Sequence, residues 1–225
     1  MSKVHYVDQG TPEWHMLRLG KPTASMFHKI ITPGGKPSEG QQAHLYMCRL
    51  IAERLLNEEM DDGIAGRIEW VERGKIEEPN AVAQLQFTHN LKLEPVGFVT
   101  DDSGRFGCSP DRLVVGKAEA VEVKCPMPWT QISYMLDGPG TNYRPQVQGH
   151  LLVGEFERVH FYSWHGRMPP VYLVTHRDEK FIRLMADALE RFWADLEAGT
   201  NRCRSMGSFA AWVRESAVVN PLMAG

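Results

Sequence analysis

The stretch from Gly107 to Pro126, GCSPDRLVVGKAEAVEVKCP, decides how the rest of the chain is read. Its second half, Ala120 to Cys125, is a short apolar run interrupted by an acid and a lysine two residues apart. Side chains alternate along a strand, so Val121, Val123 and Cys125 fall on one face and Glu122 and Lys124 on the other, about 7 Å apart. With Asp111 on a neighbouring strand, its carboxylate meets that of Glu122, and two close carboxylates repel unless a proton or a cation intervenes. The pattern admits two readings: a solvated cross-strand ion pair, or an acidic pair built around a divalent cation. Oxygen ligands without a paired His or Cys suit Mg²⁺ or Mn²⁺ better than Zn²⁺. Lys124 would then hold a water activated by the ion and stabilise charge on an attacked phosphate.

Working outward, Lys92 to Cys125 reads as a β meander with strands at 95–100, 105–108, 112–115 and 120–125, separated by Asp-Ser-Gly and Gly-Lys turns. Upstream, 12–20 and 25–31 read as short helices. A longer helix follows Ser38 and Gln41, which have capping-box spacing, with Ala43, Met47, Leu50, Ile51 and Leu55 on its buried face through about Glu59. Another helix is expected from Glu78 to His89, with Pro79 tolerated in its first turn. Downstream come helices at 129–136 and 142–153, strands at 158–164 and 171–176, and an amphipathic helix at 178–198. This order predicts a mixed α/β fold, a central sheet flanked by helices, in a single domain over 1–225.

Composition narrows the function. With 225 residues and 43% hydrophobic content the chain can bury a substantial core. Cys48, Cys108, Cys125 and Cys203 lack metal-binding spacing and read as reduced thiols, which points to a soluble, cytoplasmic protein. No apolar run approaches the roughly 20 residues of a membrane span. A net charge of −3 excludes a generally basic surface, so nucleic-acid binding must rest on local sites.

Pro110-Asp111 followed by Glu122-Val123-Lys124 resembles the Pro-Asp…(Asp/Glu)-x-Lys nuclease core. Three further segments extend the likeness: Trp14 to Ser25 (WHMLRLGKPTAS), Arg73 to Pro79 (RGKIEEP) and Tyr143 to Gln148 (YRPQVQ). Together, over about residues 8–164, they resemble the phage lambda exonuclease (YqaJ) family of viral recombination exonucleases. The resemblance implies a restriction-endonuclease-like fold and a Mg²⁺-dependent, 5′-to-3′ double-strand DNA exonuclease that releases mononucleotides, Mn²⁺ being an alternative ion. It assigns Asp111, Glu122 and the Val123 carbonyl to the metal, Lys124 to the nucleophilic water, and Glu78 to the second of two ions.

It also assigns Arg18, Ser25, Ser109 and Gln146 to a pocket for a terminal 5′-phosphate. A guanidinium fork with hydroxyl and amide donors suits that group. Read from local chemistry alone, Glu78 complements a helix dipole, Ser25 is a helix N-cap, Arg18 pairs with Glu13, and Tyr143 serves either core or site. On a helix, Tyr143 and Gln146 share a face that Gln148 does not. The histidines, His150 among them, have no spacing that demands a role. The family further implies a homotrimeric ring around duplex DNA and a single-strand annealing protein as partner. Competing readings are a restriction-like or repair endonuclease on the same metal core and a non-catalytic module that binds DNA ends.

Overall fold

The computed structural model describes residues 1–60 and 68–206. Among the described residues, eight strands and six α-helices run in the order β1 (Lys3–His5), α1 (Pro12–Arg18), α2 (Gln41–Leu56), α3 (Ile68–His89), β2 (Leu93–Pro95), β3 (Phe98–Thr100), β4 (Gly107–Cys108), β5 (Arg112–Val114), β6 (Glu119–Lys124), α4 (Pro128–Asp137), α5 (Arg144–Val153), β7 (Arg158–His165), β8 (Met168–His176) and α6 (Glu179–Ser205). Turns of 3-10 helix at Ala24–Lys29 and Thr141–Tyr143 precede α2 and α5. The main sheet has strand order β2-β5-β6-β7-β8, and β1, β3 and β4 form a small second sheet.

In the main sheet only β6 and β7 are parallel, with Glu122 opposite Phe161 and Lys124 opposite Ser163. A parallel pair needs a crossover, and α4 and α5 supply it. The alternation expected for β6 holds. Val121 and Val123 pack with Ala81, Val82 and Leu85 of α3, while Ala120 joins the larger core with Leu151 of α5 and Met185, Leu189 and Leu196 of α6. Glu122 and Lys124 share the Ala120 face, so two charged residues are directed into the layer between sheet and helices.

Several boundaries differ from the sequence reading. The strand expected at 95–100 is two strands in two different sheets, so there is no continuous meander. The break falls at Gly97, whose backbone amide donates to His5 O and where a Cβ would stand 2.1 Å from Val7 O. Only glycine allows that approach, and the chain changes sheet there. Helix α3 begins at Ile68, so Pro79 lies in its interior and not its first turn. The packing of Ala81, Val82 and Leu85 on β6 outweighs the missing amide.

The Ser38–Gln41 capping box does not form. Gly40 is the N-cap of α2 without a side-chain bond, and the Ser38 amide donates to Ile30 O in the preceding turn. Strand β8 starts at Met168 despite Pro169 and Pro170, as an edge strand permits. Asp178 caps α6, its side chain accepting from the Phe181 amide, and the helix extends to Ser205.

Candidate active site

The acidic pair forms where β5 enters the sheet. The Asp111 amide donates to Val121 O at 2.9 Å, and the Asp111 carboxylate accepts from the Val123 amide at 2.6 Å. Those two bonds fasten the side chain across β6 beside Glu122. Pro110 is fixed from the other side by Gln9, whose amide group donates to Pro110 O and Val96 O.

Glu122 is 3% exposed. Its Oε1 accepts from Lys124 Nζ at 2.5 Å and from Gln146 Nε2 at 2.7 Å. Burial, the largest single influence, works against the carboxylate, but Lys124, His150 and the two hydrogen bonds together outweigh it and hold Glu122 below its ordinary range. Burial likewise works against the Lys124 ammonium; Glu122 and Asp111 override it and hold the proton more firmly than usual. Asp111 goes the other way: burial, then the Glu122 carboxylate, push it up to about 7. The two acids are therefore unlike: Glu122 is ionised, whereas Asp111 is pushed toward the range where it is only partly ionised at neutral pH.

Glu78 joins from α3. Its Oε1 lies 2.9 Å from Arg112 Nη1, and that guanidinium also donates to Asp111 O. Glu78 also adds, as the smallest of the named influences, to raising Asp111. Arg112 was not singled out from the sequence, although its position directly after the acid was the available signal. As they stand, no three His, Cys, Asp or Glu side chains among the described residues converge on one point. A divalent cation nevertheless fits the donors present: Glu122 Oε2 is buried without a hydrogen-bond partner among the described residues, and burial and the Glu122 carboxylate raise Asp111, a penalty that a cation between the two acids would relieve.

Arg18 stands at the end of α1 over the Trp14 ring, 4.1 Å from its centroid, and its Nη1 donates to Ser109 Oγ at 3.0 Å. Trp14 is itself anchored by Nε1 to Gly97 O. Trp14 is thus the shelf on which this guanidinium rests. Arg18 and Ser25 line one cavity of about 160 Å³ together with Lys21, Thr23, Tyr46 and Arg49. Tyr46, absent from the sequence reading, receives the Thr23 amide on its hydroxyl and is pushed up to about 12 by burial.

Ser109 is two residues from Asp111, so the Arg18 cavity, whose wall also carries Glu53 and Glu59, adjoins the acidic pair. The buried Cys108 thiol feels both Glu122 and Arg18. Of the expected pocket residues, Arg18, Ser25 and Ser109 are together. Gln146 extends to Glu122.

Tyr143 sits in the turn before α5, its hydroxyl 2.9 Å from that of Tyr134 and its ring against Phe161, and it adds to the field at Lys124. Its ring packs against the larger core. Gln148 bonds His176 O and the Asp178 amide, away from the acids, as the helix face predicted. His150, which the sequence reading passed over, is 1% exposed with Nε2 3.7 Å from Glu122 Oε2. Its signal was the i,i+4 spacing from Gln146. The side chains of Arg67, Trp70, Arg73 and Lys75 lie outside the described residues.

Residues 13–157 match the family model of the YqaJ-like viral recombinase domain. Among solved structures, an alkaline exonuclease from Laribacter hongkongensis is similar at 27% identity, with a TM-score of 0.75 over 93% of this chain and 100% of that one. The same enzyme in complex with dAMP gives 28% identity and a TM-score of 0.75 over the same shares. A phage-related exonuclease from Haemophilus somnus 129PT, at 14% identity, shares the fold with a TM-score of 0.62 over 83% of this chain and 96% of that one. No curated protein sequence matches. Among the described residues, no helix is long and apolar enough to cross a membrane.

Proposed function

The chain belongs to the YqaJ-like viral recombinase family, and from that premise we propose that it is a metal-dependent 5′-to-3′ exonuclease of linear duplex DNA, releasing mononucleotides and leaving a 3′ single strand for recombination by annealing. The observation that carries this reading is the adjacency of two sites: Arg18 bonds Ser109, and Ser109 stands two residues before Asp111.

An anion held at Arg18 and a phosphodiester brought to the acids would therefore belong to one strand. The complex of the similar Laribacter enzyme with dAMP, a mononucleotide, agrees with such a product.

In this reading Asp111, Glu122, the Val123 carbonyl and, from α3, Glu78 would hold Mg²⁺ or Mn²⁺. The ions would supply Lewis-acid charge at the phosphate and a more acidic water. Lys124 orients that water and offsets charge as the phosphorus is attacked. The bond from phosphorus to the 3′ oxygen of the first nucleotide breaks, and that oxygen leaves with a proton. The remaining strand then begins with a new 5′-phosphate. Each cycle thus regenerates the anion that Arg18, Ser25 and Ser109 bind, with Gln146 steadying Glu122 between the two sites. A homotrimeric ring threaded by the duplex would retain the substrate between cycles, and an annealing protein would take up the exposed 3′ strand.

The test is digestion of end-labelled linear duplex beside a closed circle of the same sequence, with and without Mg²⁺. Labelled 5′-mononucleotide released from the linear DNA alone, lost with chelator and in Asp111→Asn, is the expected result. Cutting of the closed circle would transfer the site to an endonuclease, and unaltered activity in Asp111→Asn would remove it from these residues.

A further inference from the structure

The inner oxygen of Glu122 has a neighbour that the proposed reaction leaves unused. His150 follows Gln146 by one turn of α5, and its Nε2 lies 3.7 Å from Glu122 Oε2. The other carboxylate oxygen is taken by Lys124 and Gln146. Glu122 Oε2 and His150 Nδ1 are both buried without a hydrogen-bond partner among the described residues.

A gap of 3.7 Å is too long for a hydrogen bond. It is close to the separation of two donor atoms on one ion. With bonds of about 2.1 Å, adjacent ligands stand about 3.0 Å apart at a right angle and about 3.4 Å apart at the tetrahedral angle. A small rotation of the imidazole closes the difference. The helix itself is fixed, since the ring of Phe27 packs so tightly on Gly149 that a Cβ there would stand 2.6 Å from it.

We propose that His150 supplies a nitrogen ligand to the cation held by Glu122, so that the site takes Mn²⁺ in preference to Mg²⁺. The inference rests on the metal-dependent reading above and deepens it. Asp111, Glu122 and the Val123 carbonyl offer oxygen alone, which suits either ion. Mg²⁺ favours oxygen donors and parts with its waters reluctantly, whereas imidazole nitrogen suits transition-metal ions. One nitrogen among oxygens shifts the preference without excluding Mg²⁺.

The test uses the whole protein without DNA and Mn²⁺ as the probe. Electron spin-echo envelope modulation of the bound Mn²⁺ is expected to show coupling to an imidazole nitrogen, a measurement on the wild type that needs no variant to fold. Calorimetry is expected to give tighter binding for Mn²⁺ than for Mg²⁺. In His150→Gln the nitrogen coupling should vanish and Mn²⁺ binding should weaken on the order of tenfold or more, with Mg²⁺ binding little altered. Mn²⁺ bound without nitrogen coupling, yet released by Asp111→Asn, would overturn the role of His150 and leave the nuclease reading standing. Failure to bind Mn²⁺ at all, or binding indifferent to Asp111→Asn, would overturn both.

Discussion

Asp111 keeps its proton at a pH where an ordinary carboxyl has lost it. Its unfolded value is near 3.8 and its folded value about 7. A raised acid pKa means that the folded state binds the proton more tightly, so stability without metal should fall as pH rises from about 4 to about 7 and level off above. Three units correspond to at most about 4 kcal/mol. Glu122, held below its usual range, acts in the opposite sense and below that window.

A cation at Asp111 competes with the proton and is favoured once the proton has gone. Mg²⁺ should therefore raise the melting temperature more at pH 8 than at pH 6, and Asp111→Asn should abolish the difference. Equal stabilisation at the two values would show that the ion does not bind beside Asp111. The neighbouring cavity makes its own prediction. If Arg18 grips the terminal phosphate, 5′-phosphorylated ends should be digested faster than 5′-hydroxyl ends. Arg18→Ala should erase most of that preference, about tenfold or more for a charge-assisted contact. Arg18→Lys should restore part of it, because an ammonium keeps the charge and loses the fork. The same phosphate-to-hydroxyl rate ratio in wild type and Arg18→Ala would mean that the cavity holds something else.

At the scale of elements, the site depends on a chain that changes sheet between β2 and β3 and so brings Trp14, Gly97 and the Ser109–Asp111 corner together. Gly97 carries that change. Gly97→Ala would press a methyl on the Val7 carbonyl and should destabilise the fold by about 1–3 kcal/mol, read as a lower urea midpoint with the slope unchanged. A midpoint equal to that of the wild type would show that the β1 segment moves aside freely. This corner was not legible in the sequence: Pro95 to Thr100 has the alternation of one strand, and the Val7 carbonyl that forbids a side chain at 97 belongs to a distant segment.

Strand β6 was legible because a period of two places Glu122 and Lys124 on one face whatever the tertiary context. The face of α5 that carries Gln146 was legible for the corresponding reason. His150 lay on that same face, and its i,i+4 spacing from Gln146 was the one signal, too weak by itself until Glu122 is seen beside it. Glu78 was found through its family resemblance, whereas the Arg112 that holds it comes from a pairing between α3 and β5 that neither segment announces. Pro79 misled the start of α3, since local propensity ends a helix that packing on β6 sustains.

For the whole molecule the proposed function raises a problem of retention: a chain of net charge −3 would have to remain on a polyanion from one cleavage to the next. A uniformly basic surface is excluded by that charge. The ring proposal resolves this by separating capture from retention, since only the channel and the Arg18 cavity need be positive and the closed ring keeps the duplex from leaving. The two stages should then respond differently to salt. Loading onto an end forms new phosphate contacts and displaces counterions, so its equilibrium should weaken steeply as salt rises. Once threaded, the protein exchanges one set of phosphate contacts for the next with little net change in bound counterions, and the elongation rate should be nearly flat over the same range. Rapid-quench digestion, begun either by adding enzyme or by adding Mg²⁺ to preloaded complexes, separates the two. Light scattering should accompany it and give a mass of three times 25.5 kDa. A stable monomer, or elongation as salt-sensitive as loading, would mean that electrostatic contact alone keeps the protein on DNA, and the ring would have to be abandoned.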